Sequence, residues 1–466
     1  MSTSATTTSA ADQRLNRPPV QQRAALAVAM LGFFVVALDA QIVNVALPVI
    51  GAAFGAGLSD LQWVVAGYTL PLSSLLLFAG TLSDRVGARR IYGVGMAIFI
   101  AASALGGLAP SSVVLIAARV AQGVGAALIT PTSLALIREA FDDARQRVKA
   151  IAYWALGGSV AAAAGPLLGG LLTELHWRII FVINLPIGLL AIALLARVAP
   201  SPRRKHGFDI VGQISALVAL VGFTYAVIEG GDLSYSDPQV ILAFVLSAFG
   251  GAVFLRSQGK GKHPMVPLDL LRQRPVAVCL VAAFMTMAGF YGVVFVQSLY
   301  FQQVRDASPL QTGLLFLPMT ATVALLNPTA ANVALRFGSR VPIIGGQVLM
   351  VCGLVGVALA PVDLPVWAVS LLMVPIGVGG SFTVPPLTGL LLDAVPASRA
   401  GTASGVLNTA RQVGGSIGVA VTGAVIASMA GFMSGLRFSL ISLAVLVTIT
   451  AALSLRLPPG DQRRSP

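Results

Sequence analysis

The sequence predicts an all-helical integral membrane protein of fourteen spans, arranged as two related six-helix halves with two further helices inserted between them. Three observations carry this. The composition is apolar and nearly free of charge, the basic residues are distributed one-sidedly, and the chain repeats itself at an offset near 254 residues. Of 466 residues, 56% are hydrophobic and 10% charged, where soluble domains run near ~25% charged. No water-soluble fold hides that much apolar surface. The net charge of +13 does not indicate nucleic acid, because the basic residues sit in short segments between apolar runs and not on one soluble face. Cys279 and Cys352 both fall inside predicted spans, so neither a disulfide nor a metal site is expected.

A span needs about 20 apolar residues to cross roughly 30 Å of hydrocarbon. Residues 1–23 are rich in Ser, Thr and Ala and read as a disordered cytoplasmic tail. The first apolar run, 24–50, is too long for a cleavable leader and is interrupted by Asp39 and Asn44, so it reads as an uncleaved span. Further runs follow at 61–83, 91–109, 111–137, 148–173 and 177–196, which complete a first half over 24–197. A linker, 198–274, carries two more, at 210–230 and 238–255. The second half, 275–456, holds 275–301, 311–335, 341–360, 364–391, 401–430 and 436–456, and a cytoplasmic tail occupies 457–466.

Charge sets the predicted orientation. With both termini cytoplasmic, 25 of the 30 Lys and Arg residues fall in inside segments. Three, Arg178, Arg305 and Arg437, fall in outside loops, while Arg119 and Arg411 lie within spans. One missed or extra span would scramble this split. The expected location is the cell (inner or plasma) membrane, multi-pass.

The repeat is specific. Gly123-Val124-Gly125 with Pro131 recurs as Gly377-Val378-Gly379 with Pro385, Gly157-Gly158-Ser159 as Gly414-Gly415-Ser416, and Arg85-Val86-Gly87-Ala88-Arg89 as Arg336-Phe337-Gly338-Ser339-Arg340. The three offsets are 254, 257 and 251. Parallel halves around a midplane site are the design of many secondary transporters.

The stretch Leu38-Asp39-Ala40-Gln41-Ile42-Val43-Asn44-Val45-Ala46-Leu47-Pro48 places a carboxylate in the first run. An acid at a helix centre costs ~2.5–3.5 kcal/mol on insertion scales, which suggests that it binds a proton, a cation or an arginine; a solvated place near the interface is the alternative. Asp39 lies about 16 Å, and Arg119 about 12 Å, from the same outer face. The two could pair in a cavity, for coupling or as a purely structural ion pair.

Gly80-Thr81-Leu82-Ser83-Asp84-Arg85-Val86-Gly87-Ala88-Arg89-Arg90 resembles the signature loop of the major facilitator superfamily, with Ala88 the departure. The resemblance implies that Gly80, Asp84, Arg85, Gly87 and Arg89 latch the halves in one conformation. The second-half copy has Leu335 in place of the acid. Residues 115–127, with Arg119, resemble the proton-coupling motif of drug:proton antiporters. Gly157, Gly165, Pro166 and Gly169 resemble the antiporter motif of exporters, which speaks against uptake. Trp177-Arg178, Phe181, Asn184, Pro186 and Gly188 resemble the start of the family's sixth span. The Asp39 stretch is similar to the first-span motif of the fourteen-helix drug:proton antiporters (the EmrB/QacA type), with Gln41 in place of Thr or Ser. Further matches at Tyr300-Phe301-Gln302 and Gly405–Gly415 extend the likeness over roughly 24–456.

The resemblance implies a major facilitator fold, proton coupling through Asp39 and Arg119, and export of amphipathic small molecules, with the proton gradient as energy source and no cofactor or metal. The partners expected are the substrate, protons and the lipid bilayer, with no nucleic acid and a functional monomer. Gln41, Asn44, Gln122, Met287, Phe290, Tyr291, Asn408 and Arg411 are candidate cavity residues. Phe284, Met285, Phe316 and Met319 are candidate apolar walls, with lipid-facing or packing roles the alternative. Arg411 could line the cavity, bind an anionic substrate group, pair across the halves or bond to backbone carbonyls. Asp209 is expected to cap the seventh span and Glu229 to be solvated; His176, His206 and His263 lie in loops. A dedicated exporter of one endogenous metabolite, or an importer, and a non-transporting sensor are the other readings. An enzyme is not expected, because the spans hold no nucleophile–base pair or metal cluster.

Overall fold

The computed structural model describes residues 19–203, 207, 209–261, 264–396 and 399–458. The tails 1–18 and 459–466, the expected inside cations Arg14, Arg17, Arg204, Lys205, Lys262, Arg463 and Arg464, and the loop histidines His206 and His263 lie outside the described residues. The first half comprises α1 (Pro19–Phe54), α2 (Leu58–Val86), α3 (Ala88–Gly107), α4 (Ser112–Ala140), α5 (Ala144–Leu175), α6 (Ile179–Val182) and α7 (Asn184–Leu195). The inserted pair is α8 (Ile210–Leu233) and α9 (Pro238–Lys260), and a short α10 (Leu268–Arg272) leads into the second half. That half contains α11 (Arg274–Leu299), α12 (Pro309–Phe337), α13 (Arg340–Leu359), α14 (Val366–Asp393), α15 (Ala400–Ser428) and α16 (Phe432–Ser454). No strand occurs among the described residues; the helices satisfy their backbone groups internally, as hydrocarbon requires of any spanning segment. Thirteen of these helices are long and apolar enough to cross a membrane, and the shorter Ile179–Leu195 completes fourteen spans.

Two boundaries differ from the sequence reading. Helix α1 begins at Pro19, so 19–23 is helical and not part of a disordered tail; proline pre-sets φ for a first turn and lacks only an N–H that would be unpaired there. The sixth span is broken between α6 and α7 at Ile183. Pro186 has no N–H for the Val182 carbonyl and its ring crowds that group, so the helix restarts at Asn184.

The repeat of the sequence is a repeat of packing. Gly95 and Gly125 bring α3 and α4 into backbone contact: a Cβ on Gly95 would lie 3.0 Å from the Gly125 carbonyl, and one on Gly125 would lie 2.7 Å from that of Gly95. Gly346 and Gly379 do the same for α13 and α14, at 2.7 and 2.5 Å. Gly123 sits on the Tyr68 carbonyl of α2, and Gly377 on the Met319 carbonyl of α12. Small residues let membrane helices approach this closely. Gly87 and Gly338 end the second helix of each half at φ 104° and 81°, a backbone region that favours glycine.

The inserted hairpin is not a passive appendage. Helix α8 packs along α2 and reaches α15 of the other half. Gln213 Nε2 donates to the Ser74 carbonyl at 2.9 Å, and Gly231 lies 3.1 Å, by its Cβ position, from Ala424. Trp63 Nε1 donates to Glu229 Oε1 at 2.7 Å, so Glu229 is a half-buried tie between helices and not the solvated acid the sequence suggested. Asp209 caps α8 as expected: it accepts from Gly212 N at 2.7 Å, and also from Gln258 Nε2 at 2.6 Å and Ser257 Oγ at 3.0 Å on α9. Burial raises this carboxyl, but the bonds from Gln258, Gly212 and Ser257 outweigh it and hold the group below the usual carboxylate range. A depressed carboxylate stabilises the fold above its unfolded value near ~4 and loses that contribution as pH falls through the lower folded value. Asp209→Ala is therefore expected to lower the thermal midpoint of the full chain at neutral pH, by the equivalent of about 1 kcal/mol for a lost cap. The difference from wild type should shrink in acid; equal midpoints at pH 7 would show that the cap contributes nothing.

The halves are joined at one end. Ser298 Oγ donates to the Asn44 carbonyl at 2.6 Å and Gln302 Nε2 to that of Val45 at 2.8 Å. Gln62 Nε2 donates to Ala420 O at 2.7 Å. Gly170 lies on the Pro309 carbonyl, and Gly313 on that of Pro166. Thr320 Oγ1 donates to Ala163 O at 3.2 Å, deeper in the same α5–α12 contact. Toward the arginine-rich end, Gly80, Gly389 and Gly401 have open space at their Cβ positions, and Leu325 and Leu335 on α12 are 73% and 87% exposed. The α2–α15 contact runs in that direction, to Leu77 against Gly405.

Candidate functional site

Asp39 is fully buried on α1; α4 and α7 donate to it directly, and α3 joins through their amides. Arg119 Nη1 of α4 donates to its Oδ2. Gln122 Nε2, one turn along α4, donates to Oδ1 at 3.2 Å, and Asn184 Nδ2, at the break before α7, donates to the same oxygen at 2.8 Å. Ser103 Oγ of α3 accepts from both amides, at 3.0 and 2.9 Å, and donates to the Phe181 carbonyl at 2.8 Å. Three donors and no acceptor face the carboxylate, which suits its ionised form.

Arg119 is held as completely. Its Nε donates to the Val64 carbonyl at 3.0 Å and its Nη1 to Gln122 Oε1 at 3.0 Å. The guanidinium also lies 4.3 Å from the centre of the Tyr68 ring. Tyr68 in turn donates to the Val36 carbonyl of α1 at 2.9 Å. Gly123 permits this geometry, because it lets α4 rest on the Tyr68 carbonyl. The sequence identified Asp39 and Arg119. It placed Gln122 in the substrate cavity, whereas the side chain is fully buried and bonded into this network. Asn184, Ser103 and Tyr68 were not read as members. For Ser103 and Tyr68 the sequence signal was polarity within apolar runs; Asn184 stood in the stretch that resembles the start of the family's sixth span, with no role assigned to it.

The remaining expected residues fall in separate places. Gly87 turns the loop, and Arg89 fixes it to the segment after α7, through its N–H to Ser201 Oγ at 2.9 Å and its Nη2 to Ala196 O at 3.2 Å. Asp84 and Arg85 are exposed, and Gly80 faces open space. Gly165 and Gly169 set α5 on α1, at Gln41 and Ile42; a Cβ on Gly157 would lie 3.7 Å from the Met30 carbonyl; Pro166 meets α12. The three glycines of the antiporter motif thus pack α5 on α1 within the first half, and Pro166 reaches the second. Asn44 is buried, bonded through Nδ2 to the Ala40 carbonyl at 3.1 Å, and takes part in the closed end. Gln41 is buried and its Oε1 has no partner. Phe290 is buried edge-on to Tyr291, with ring centres 5.8 Å apart. Met287, Tyr291, Asn408 and Arg411 are half-buried. Phe316 and Met319 are core, not cavity wall: both are fully buried, and Phe316 packs edge-on to Phe301. Cys279 is buried and Cys352 exposed, both as free thiols, and no group able to hold a metal occurs among the described residues.

Two similar helical halves, joined at one end, apart at the other, with a buried acid–base pair inside one of them, have the architecture of an alternating-access membrane transporter. The sequence pattern of the Major Facilitator Superfamily matches residues 29–419, and the chain belongs to that family. It is similar to the multidrug resistance protein Stp of Mycobacterium tuberculosis, 39% identical with 85% of this chain and 74% of the relative covered. It is likewise similar to the methylenomycin A resistance protein of Streptomyces coelicolor, at 32% with 93% and 92% covered. The tetracenomycin C resistance and export protein of Streptomyces glaucescens is 34% identical, with 87% and 76% covered. Among solved structures, a bacterial homolog of the human lysosomal transporter Spinster, in an inward-facing and unoccupied conformation, superposes with a TM-score of 0.65 at 17% identity, over 94% of this chain and 97% of that one.

Proposed function

We propose that the chain is a proton-coupled exporter of amphipathic small molecules, of the fourteen-helix drug:proton antiporter type, in the plasma membrane with both termini cytoplasmic. The observation that carries this is the Asp39–Arg119 pair, buried in the first half and held by Gln122 and Asn184. A buried pair is stable while both charges persist, and neutralising one partner breaks it. Protonation of Asp39 from outside loosens Arg119 from α1; the halves rock; the proton leaves on the inside, and substrate binds as the pair re-forms. Asp84 and Arg85 supply a latch for the opposite state, which accords with Asp84 being exposed while the arginine-rich end is open. Efflux is supported by the relatives, which are named for multidrug or antibiotic resistance. The names of the methylenomycin A and tetracenomycin C relatives favour a second reading, export of one dedicated metabolite.

The test uses inverted membrane vesicles with an acid interior. A panel of lipophilic dyes, antibiotics and aromatic acids is added while a fluorescent probe follows the gradient. Discharge by several unrelated compounds is the expected result, and discharge by one scaffold alone selects the dedicated exporter. No discharge by any compound overturns proton-coupled export.

A further inference from the structure

The first-half charges cancel each other; the second half keeps one that does not. Arg411 lies about 17 Å along α15 from its start. Its Nε is buried without a hydrogen-bond partner, and among the described residues no carboxylate lies within ion-pair distance of it. The repeat offset that pairs Gly157 with Gly414 places Trp154 at the matching point of the first half, where the indole N–H is satisfied by Ser133 Oγ at 3.0 Å. The unpaired guanidinium thus belongs to the second half alone.

Tyr291 and Asn408 surround it. Tyr291 of α11 lies within electrostatic reach of Arg411, and its ring packs one turn along α15, 3.0 Å from the Cβ position of Gly415. Tyr291 is also within electrostatic reach of Tyr68, the ring beneath Arg119. Asn408, half-buried, precedes Arg411 by three residues and so shares its helix face. A cation deep in a membrane span without an anion is costly, and such residues mark ligand pathways.

We propose that Arg411, with Tyr291 and Asn408, forms an anion-accepting subsite that takes the carboxylate of an amphipathic aromatic acid. This rests on the export reading. The guanidinium gives paired donors to a planar carboxylate, Tyr291 and Asn408 can donate beside it, and the aromatic body lies against Tyr291. The subsite recognises acids, while the Asp39 network handles protons.

The experiment measures binding of 1-naphthoate and of its neutral analogue 1-naphthamide to the full chain in lipid nanodiscs at pH 7.5, by titration calorimetry. The wild type is expected to bind the acid at least about tenfold more tightly than the amide, as for a charge-assisted bond. In Arg411→Gln that ratio should fall to about one. Arg411→Lys, which keeps the charge and loses the fork, should give an intermediate ratio, and it supplies the reading if Arg411→Gln cannot be recovered folded. A wild-type ratio near one, or a ratio unchanged in both variants, overturns the subsite. The two readings fail separately: loss of gradient discharge with intact acid preference overturns proton coupling alone, and the reverse overturns the subsite alone.

Discussion

Vesicles carrying Asp39→Asn show no substrate-driven proton movement, while the protein is made and inserted at wild-type levels; this is the expected result with the largest effect. Asparagine keeps the size of the side chain and can still accept from Gln122 and Asn184, so the first half retains its packing. What it loses is a group that can exchange a proton. Its amide also faces Arg119 without a charge, and leaving one partner of a buried pair uncompensated costs about 3–5 kcal/mol. A stability loss could therefore imitate a coupling loss. The double variant Asp39→Asn/Arg119→Met separates the two, because removing both charges together is near neutral for stability. It should recover the thermal midpoint and remain uncoupled. Full proton-coupled export by Asp39→Asn would move the proton site elsewhere.

The second large effect is expected at the joint between the halves. Gly170 lies on the Pro309 carbonyl and Gly313 on that of Pro166, backbone against backbone, so neither neighbour can yield as a flexible side chain would. Gly170→Leu cannot form the closed end without pushing α5 from α12. Transport should fall to background while each half stays folded, because the obstruction lies between them. The displaced state can be read directly. Ser298 is fully buried where it donates to the Asn44 carbonyl. In a background with Cys279 and Cys352 replaced by alanine, Ser298→Cys should resist a membrane-impermeant maleimide. It should become reactive when Gly170→Leu is added. Transport at wild-type rate and no labelling would show that this closure is not part of the cycle.

The sequence by itself determined most of the architecture, since hydrocarbon admits few solutions. Apolar run length defined the fourteen spans, and glycine spacing revealed two halves whose contacts repeat at Gly95–Gly125 and Gly346–Gly379. Asp39 and Arg119 were legible for the same reason: charge within an apolar run is too costly to be incidental. Only the tertiary structure decided which neutral polar groups join them. Asn184 reaches Asp39 because Pro186 breaks the sixth span, and Ser103 and Tyr68 join from helices whose order in space no run length encodes. For the same reason Phe316 and Met319 proved to be core, and Glu229 a tie to Trp63. Burial cost is a property of one residue in its segment and can be read along the chain. Hydrogen-bond partnership is a property of pairs whose separation is set by packing, and here it links residues as far apart as Asp39 and Asn184.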